Sequence, residues 1–437
     1  MKKKSAVHLS LVGGLVLLVA QLSLFGLLLY PYNPHHHTFL KDVEAVANIT
    51  SKLHMSVFAV DSQVLQHFTN HENDLRSRCV LCEAKYPATF VTLFTGLKQS
   101  EEFVFLLQQA RFHVVTLQNT NPPEVPSGIS INIPICYLLK RNTVIHLVLF
   151  HERDGNYWWH GNLLSDPRAI SELSAFGLSV HSVQMMKTEG AFDKFETEVV
   201  SMSGIPFLIP KDIPRFLHDA SSSRFIECSH TLADSFHRSH GRDTTHEALR
   251  FVHRAWKLLS KTKTLLDKLG IRFWISSGTC YFHQCDIIPY SKDVDVGIFI
   301  TDYSEKILRE FLAHGFTLKH WFGRVNDSLE LSFSSGDLKL DIFFFYEDGP
   351  YLWNGGTQAK SGKKFKYLFP RFTLCWTEFL ELKVRVPCET QAYIEANYGS
   401  DWFTPVTHWD WKSSPPNVRE NGEWPAEEWA EVMRVYS

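Results

Sequence analysis

The fold and the chemistry of this chain turn on Pro289-Tyr290-Ser291-Lys292-Asp293-Val294-Asp295-Val296-Gly297-Ile298. Its alternation predicts a strand running on to Ile300. Side chains at i and i+2 of a strand share a face, so Asp293 and Asp295 stand side by side while Val294 and Val296 face the core. Two carboxylates held that close repel one another unless a cation lies between them. A hard divalent ion that prefers oxygen ligands, Mg²⁺ or Mn²⁺, is the natural occupant, and such an ion also binds the phosphates of a nucleotide-activated donor. An isolated Asp-x-Asp is also common in solvated turns, so the neighbouring sequence has to carry part of the argument.

Working outward, Ile271 to Ile275 reads as a short strand followed by Ser276-Ser277-Gly278-Thr279. The small residues Ser277, Gly278 and Thr279 would let backbone N–H groups approach a phosphate. Downstream, Lys339-Leu340-Asp341-Ile342-Phe343-Phe344-Phe345 places one carboxylate in an apolar strand, where it needs a partner or a metal. Strand, small-residue loop, Asp-x-Asp strand and later Asp strand follow the order of a nucleotidyltransferase-type site. Lys360, Lys363, Lys364, Lys366 and Arg371 surround the aromatics Phe365, Tyr367 and Phe369. This run reads either as a phosphate-neutralising segment, with Lys364 as its donor contact, or as a solvated basic loop.

Thr245 to Leu269 carries apolar residues at helical spacing and stops at Gly270. Ser304 to Leu312 reads as a second helix, and Leu329 to Phe333 and Leu338 to Phe345 as strands. Together these predict an α+β catalytic domain with a mixed sheet, spanning 224–437. A mixed α/β amino-terminal domain is expected over 49–218, with Asp219 to Arg224 as the linker. His151-Glu152 lacks the second His of a zinc-protease helix, since Gly155 stands at the required position.

At the amino terminus, Lys2, Lys3 and Lys4 precede an uncharged apolar stretch from Ala6 to Tyr30, long enough to span a bilayer. It predicts an uncleaved signal anchor over 6–30, a cytoplasmic tail over 1–5, a stem over 31–48 and a lumenal body, the type II arrangement. A lumenal address makes Asn48 and Asn326 candidate glycosylation sites, each within an Asn-x-Ser/Thr sequon. It also favours disulfides among the eight cysteines, whose pairing the sequence leaves open. The formal charge of -3, from 44 basic and 47 acidic residues, argues against a nucleic-acid partner bound through a basic surface.

The segment from Ile275 to Ile300, together with LKLDIFFF, resembles the LicD-type family of phosphocholine and polyol-phosphate transferases. Longer runs (SRFIEC, IIPYSKDVD, DSLELSF, WNGGTQAK, GKKFKYLFP, FTLCWTEF, ETQAYIEANYG and WDWKSSPPNV) are similar to one vertebrate branch of it. That resemblance implies a Golgi type II enzyme transferring ribitol 5-phosphate from CDP-ribitol to the phosphorylated O-mannosyl glycan of α-dystroglycan, releasing CMP. It implies a metal on Asp293 and Asp295, with Asp341 as further ligand or as base. It also implies association with the Golgi membrane, with other O-mannosyl glycan enzymes and in an oligomer. The loop departs from the family's Gly-Thr-Leu-Leu-Gly-x-x-Arg: the second Gly is absent from Gly278 to Cys285, and His283 stands at the Arg position. That departure motivates a second reading, a non-catalytic Golgi partner that binds glycan or stabilises other enzymes. A third is a metal-dependent phosphohydrolase.

Overall fold

A computed structural model of the chain describes residues 34–70, 88–93, 97–117, 135–140, 143–154, 156–161, 167–176, 186, 188–202, 204–277, 293–406 and 408–436. The expected anchor at 6–30 lies outside the described residues, as do Cys79, Cys82, Gly278 and Thr279. Among the described residues, no helix is long and apolar enough to cross a membrane.

The architecture is mixed α/β in two units. The first comprises Met1–Val115, Cys136–Leu147 and Glu198–Ile209. Along the chain come α1 (Pro34–Lys52), β1 (Val57–Ala59), α2 (Ser62–Asn70), β2 (Ala88–Leu93), α3 (Leu97–Gln109), β3 (His113–Leu117), β4 (Ile135–Lys140) and β5 (Thr143–Arg153). After β6 (Tyr157–His160), α4 (Pro167–Ala175) and β7 (Gly190–Asp193), the chain returns to this unit with β8 (Thr197–Met202) and β9 (Ile205–Pro210). The sheet order is β3-β4-β5-β2-β1-β9-β8.

The stem expected over 31–48 is corrected here, because α1 is folded into this unit. Val43 and Val46 are buried, and the buried Asp42 accepts hydrogen bonds from Thr143 Oγ1 (2.7 Å) and Lys140 Nζ (2.8 Å). Those partners lie about a hundred residues away, and they make a buried carboxylate tolerable in a short amphipathic helix.

The second unit comprises Thr116–Ile135, Val148–Thr197 and Pro210–Ser437. It contains α5 (Ile213–Ser221), α6 (His230–His240), α7 (His246–Lys268), β10 (Phe273–Ile275), β11 (Asp293–Phe299), α8 (Lys306–Ala313), β12 (Thr317–Arg324), β13 (Asp327–Ser335) and β14 (Leu338–Asp348). There follow β15 (Tyr351–Gln358), β16 (Lys363–Pro370), β17 (Leu374–Phe379), β18 (Leu382–Pro387), α9 (Thr390–Tyr398), β19 (Val418–Glu423), α10 (Trp429–Val432) and β20 (Met433–Val435). The main sheet runs β19-β16-β15-β14-β13-β12-β20, with β11 pairing β14 in parallel and β10 antiparallel to β11.

Helix α7 matches its sequence signals. Thr245 Oγ1 caps it by accepting from Ala248 N–H (3.2 Å), and Gly270 after its end takes φ +70°. Its stripe of Phe251, Ala255, Leu258, Leu259, Leu265 and Leu266 is buried in a core shared with Leu340, Ile342 and Phe344 of β14.

Two boundaries differ from expectation. Residues 148–197 belong to the second unit, and Asp219 to Arg224 is no linker: α5 covers its first part, and Arg224-Phe225 then bridges Gly190 and Trp376. Arg153 is almost fully buried and bonds Glu227 through two nitrogens (2.8 and 3.0 Å) and Glu378 through Nε (3.0 Å), while Tyr157 O–H donates to Glu378 (2.7 Å). An ion network of this kind, spread over residues 153, 157, 227 and 378, leaves no local trace in the sequence. Cys375 and Cys388 form a disulfide, with Cα atoms 5.0 Å apart, that clamps the β17–β18 hairpin.

Candidate active site

Strand β11 is buried on both sides by β10 and β14, and its alternation does what the sequence requires. Val294, Val296 and Ile298 point into the core, while Asp293 and Asp295 point to the other face. The parallel register sets Asp293 opposite Lys339 and Asp295 opposite Asp341. On the far side of β14, Ser332 of β13 is opposite Asp341, and His320 of β12 is opposite Ser332. A row of polar side chains, His320, Ser332, Asp341 and Asp295, therefore crosses four strands on one face of the sheet. Glu330 lies one same-face step along β13 from Ser332, about 7 Å away.

Carboxylate oxygens of Asp293, Asp295 and Asp341 all lie within 4.8 Å of one another. Asp295 and Asp341 are buried, and Asp293 is half-buried. Asp341 Oδ1 accepts from Ser332 Oγ (2.6 Å) and Oδ2 from Lys339 Nζ (2.7 Å). Burial, followed by the charges of Asp293 and Asp341, holds the Asp295 carboxyl well above the ordinary range. Burial and the charge of Asp341 push Glu330 up to about 8. Burial alone would lower the Lys339 ammonium, but Asp341, Glu330 and Asp293 together raise it.

The donor set fits a hard divalent ion. Three carboxylates at this separation can close on one cation with Mg²⁺- or Mn²⁺-type distances, and the repulsion that raises Asp295 is what such an ion would relieve.

Below the carboxylates the face is aromatic. Gly297 pairs with Trp274 across β10 and β11, and a Cβ on Gly297 would come within 2.3 Å of the indole. Glycine is needed here for close approach. The indole lies across β11 between Phe299, Phe345 and Phe372, at 4.7, 4.8 and 5.3 Å between ring centres. Ser276 N–H donates to the Asp295 carbonyl (3.0 Å), and its hydroxyl bonds the Tyr393 hydroxyl (2.6 Å). The carboxylates thus stand on a rigid floor, which fixes their separation before any ligand arrives.

The remaining sequence candidates lie as follows. Ser277 ends the described stretch with φ +45°, beyond which Gly278 and Thr279 lie outside the described residues. Lys364 is in a strand, so the solvated-loop reading of its neighbourhood is corrected. Phe365, Tyr367 and Phe369 are buried on one face of β16, and Lys364 and Lys366 alternate onto the other. Lys364 Nζ bonds Asp327 (2.7 Å) and sits 4.3 Å from the Trp424 ring centre. Asp327 is five residues along β13 from Ser332, about 17 Å away, so Lys364 is not part of the carboxylate cluster. Asn326 is exposed in the turn before β13, and Asn48 is exposed on α1, where Thr50 is buried and donates to Ala47 O.

Sequence reasoning missed Ser332, Lys339, Glu330 and His320. The two-residue spacings Glu330/Ser332 and Lys339/Asp341 were visible, but only the cross-strand register joins them to the Asp pair.

Two family models match the chain: Fukutin N-terminal over residues 34–256, and the LicD/FKTN/FKRP nucleotidyltransferase domain over residues 270–389. Among curated proteins, the human and mouse proteins named Ribitol-5-phosphate transferase FKTN are each 45% identical over 402 residues, covering 89% of this chain and 86% of theirs. An uncharacterized Caenorhabditis elegans protein is 27% identical over 243 residues, covering 52% of this chain and 62% of its own. With both models matched in order and near half the residues identical along most of its length, the chain belongs to the fukutin family.

Proposed function

We propose that this chain is a ribitol-5-phosphate transferase that takes its donor as CDP-ribitol and releases CMP. The observation that carries the reading is the convergence of Asp293, Asp295 and Asp341 within 4.8 Å on one face of the nucleotidyltransferase-type sheet. The transferase name of the human and mouse relatives supports the class of group transferred.

A divalent ion on these carboxylates would offset charge on the donor pyrophosphate and on the CMP leaving group. The chain's own part is positional. Strands β11 and β14 fix the carboxylates, Ser332 orients Asp341, and the Trp274 floor keeps the pair from spreading. The acceptor hydroxyl attacks the ribitol-bearing phosphorus, the new O–P bond forms as the bond to CMP breaks, and the hydroxyl proton passes to a base. Support for Asp341 as a ligand rather than that base comes from its place within the cluster.

The acceptor in this reading is the phosphorylated O-mannosyl glycan of α-dystroglycan. Residues 6–30 anchor the chain in the Golgi membrane as a type II protein, Asn48 and Asn326 carry glycans, and fukutin-related protein and an oligomer are its proposed associates. Ser277, Gly278 and Thr279 would approach the donor phosphates.

The test is CMP release from CDP-ribitol with a glycan acceptor and Mg²⁺ or Mn²⁺. Asp293→Ala and Asp295→Ala should abolish turnover, and unaltered turnover would overturn the metal assignment. Absence of donor binding by calorimetry, with glycan binding intact, would instead favour the non-catalytic Golgi partner, a reading motivated by the departure from Gly278 to Cys285. CMP release that continues without acceptor, with water in its place, would indicate the phosphohydrolase.

A further inference from the structure

Lys339 shares its sheet face with the carboxylate cluster. It stands opposite Asp293 in the β11–β14 register and two residues before Asp341, on the same face of the sheet as both. Its ammonium bonds Asp341 Oδ2 at 2.7 Å while 40% of the side chain remains exposed. It thereby engages a member of the three-carboxylate cluster, whose ligand atoms lie within 4.8 Å of one another. Among the described residues, four carboxylates (Asp293, Asp295, Asp341 and Glu330) and this one ammonium act on one another across the same face.

Two cations crowded onto one carboxylate repel one another. An ammonium 2.7 Å from Asp341 Oδ2 weakens the hold of that carboxylate on a divalent ion, because the two positive charges repel. The lysine stem is flexible, its head is compact, and solvent reaches it, so it can swing away without disturbing β14. Once displaced, it remains within a side chain's length of the cluster, where metal-bound phosphate oxygens would offer it a new anionic partner.

We infer that Lys339 is a displaceable counter-ion: it neutralises the carboxylate cluster before the metal binds, yields Asp341 to the metal, and then binds the phosphate of the nucleotide-linked donor. The inference rests on the reading that the three carboxylates take a divalent ion. It adds an ordered exchange of cations, in which metal and lysine compete while donor and lysine cooperate.

The first test is calorimetric titration of the full chain with Mn²⁺ alone, comparing wild type with Lys339→Gln and Lys339→Arg. Removing the competing charge should tighten Mn²⁺ binding by about tenfold in Lys339→Gln, while Lys339→Arg stays close to wild type. Equal or weaker binding in Lys339→Gln would overturn the exchange while leaving the metal reading intact. Absence of Mn²⁺ binding to wild type and Lys339→Gln alike would overturn both.

The second test needs no variant. In wild type, acylation of the Lys339 amine, followed by peptide mass spectrometry, should speed up when Mn²⁺ is added and slow again when CDP-ribitol follows. Unchanged labelling with Mn²⁺ overturns the displacement. Labelling that rises with Mn²⁺ but ignores CDP-ribitol overturns the donor contact.

Discussion

Gly297→Ala is the smallest change that tests whether the aromatic floor positions the carboxylates. The added methyl carbon would sit 2.3 Å from Trp274 Cε2 and 2.4 Å from Cζ2. Carbon atoms in contact prefer about 3.5–4.0 Å, so indole and strand must separate by roughly 1.2–1.7 Å. Trp274 has no exposed surface, and Phe299, Phe345 and Phe372 close its other sides. Overpacking a full core costs about 1–3 kcal/mol, and the tight surroundings argue for the upper end. At roughly 2–4 °C per kcal/mol for a unit of this size, the melting temperature should fall by about 5–10 °C. Asp295 lies two residues along the same strand, so Mn²⁺ affinity should fall with it.

The decisive assay is a double-mutant cycle in thermal or urea unfolding. Trp274→Ala alone opens a cavity and costs about 3–5 kcal/mol. In the double variant the new methyl occupies part of that cavity, so the combined loss should be smaller than the sum by at least about 1 kcal/mol. A Gly297→Ala protein that melts within a degree of wild type, or a strictly additive double variant, would refute the argument that this glycine exists to admit the indole.

Three further outcomes follow from the same geometry. Glu330 and Asp295 bind protons more tightly folded than unfolded, so their contribution to stability is fully present below the ordinary carboxylate range and is lost as pH rises toward about 8 for Glu330; melting curves with a chelator should fall over this range, and Mg²⁺ should flatten them. Arg153→Met strands the carboxylates of Glu227 and Glu378 around a half-broken network and should cost about 3–5 kcal/mol in denaturant titrations, whereas an unchanged midpoint would show that the network carries no stability. Replacing Cys375 and Cys388 by Ser opens a short loop closed over a separation of 13 residues and should cost about 3 kcal/mol, a difference that should vanish when both proteins are reduced.

What could be read from the sequence was what local alternation controls. Asp293-Val294-Asp295-Val296 announces its two faces because strand geometry alone separates them, and α7 announces its ends because Thr245 and Gly270 supply a cap and a left-handed stop. The lysines of β16 leave a strand and a solvated loop equally open until their partners are known. Asp327 and Asp348, which neutralise Lys364 and Lys366, come 37 and 18 residues earlier. Helix α1 reads as a stem in sequence because Lys140 and Thr143, the partners of its buried Asp42, lie about a hundred residues away. The carboxylate pair was visible, but the residues that complete its electrostatics, Lys339, Ser332 and Glu330, join it through cross-strand register, and no single segment encodes register.

The passage of Arg224-Phe225 between Gly190 and Trp376 bears on how this protein can be divided by experiment or by evolution. Backbone hydrogen bonds join Ser223 to Ala191, Phe225 to Glu189, Ile226 to Trp376 and Trp376 to Arg224. A transferase excised at residue 224 would keep every carboxylate of the cluster. It would lose the edge on which Phe225 lies, the counter-charge of Glu227 and Glu378, and the Asp193 partner of the buried Lys383. The catalytic sequence is therefore not a portable cassette. Substitutions between residues 148 and 197, far from Asp293 in sequence, should act as folding lesions of the unit that carries the carboxylates.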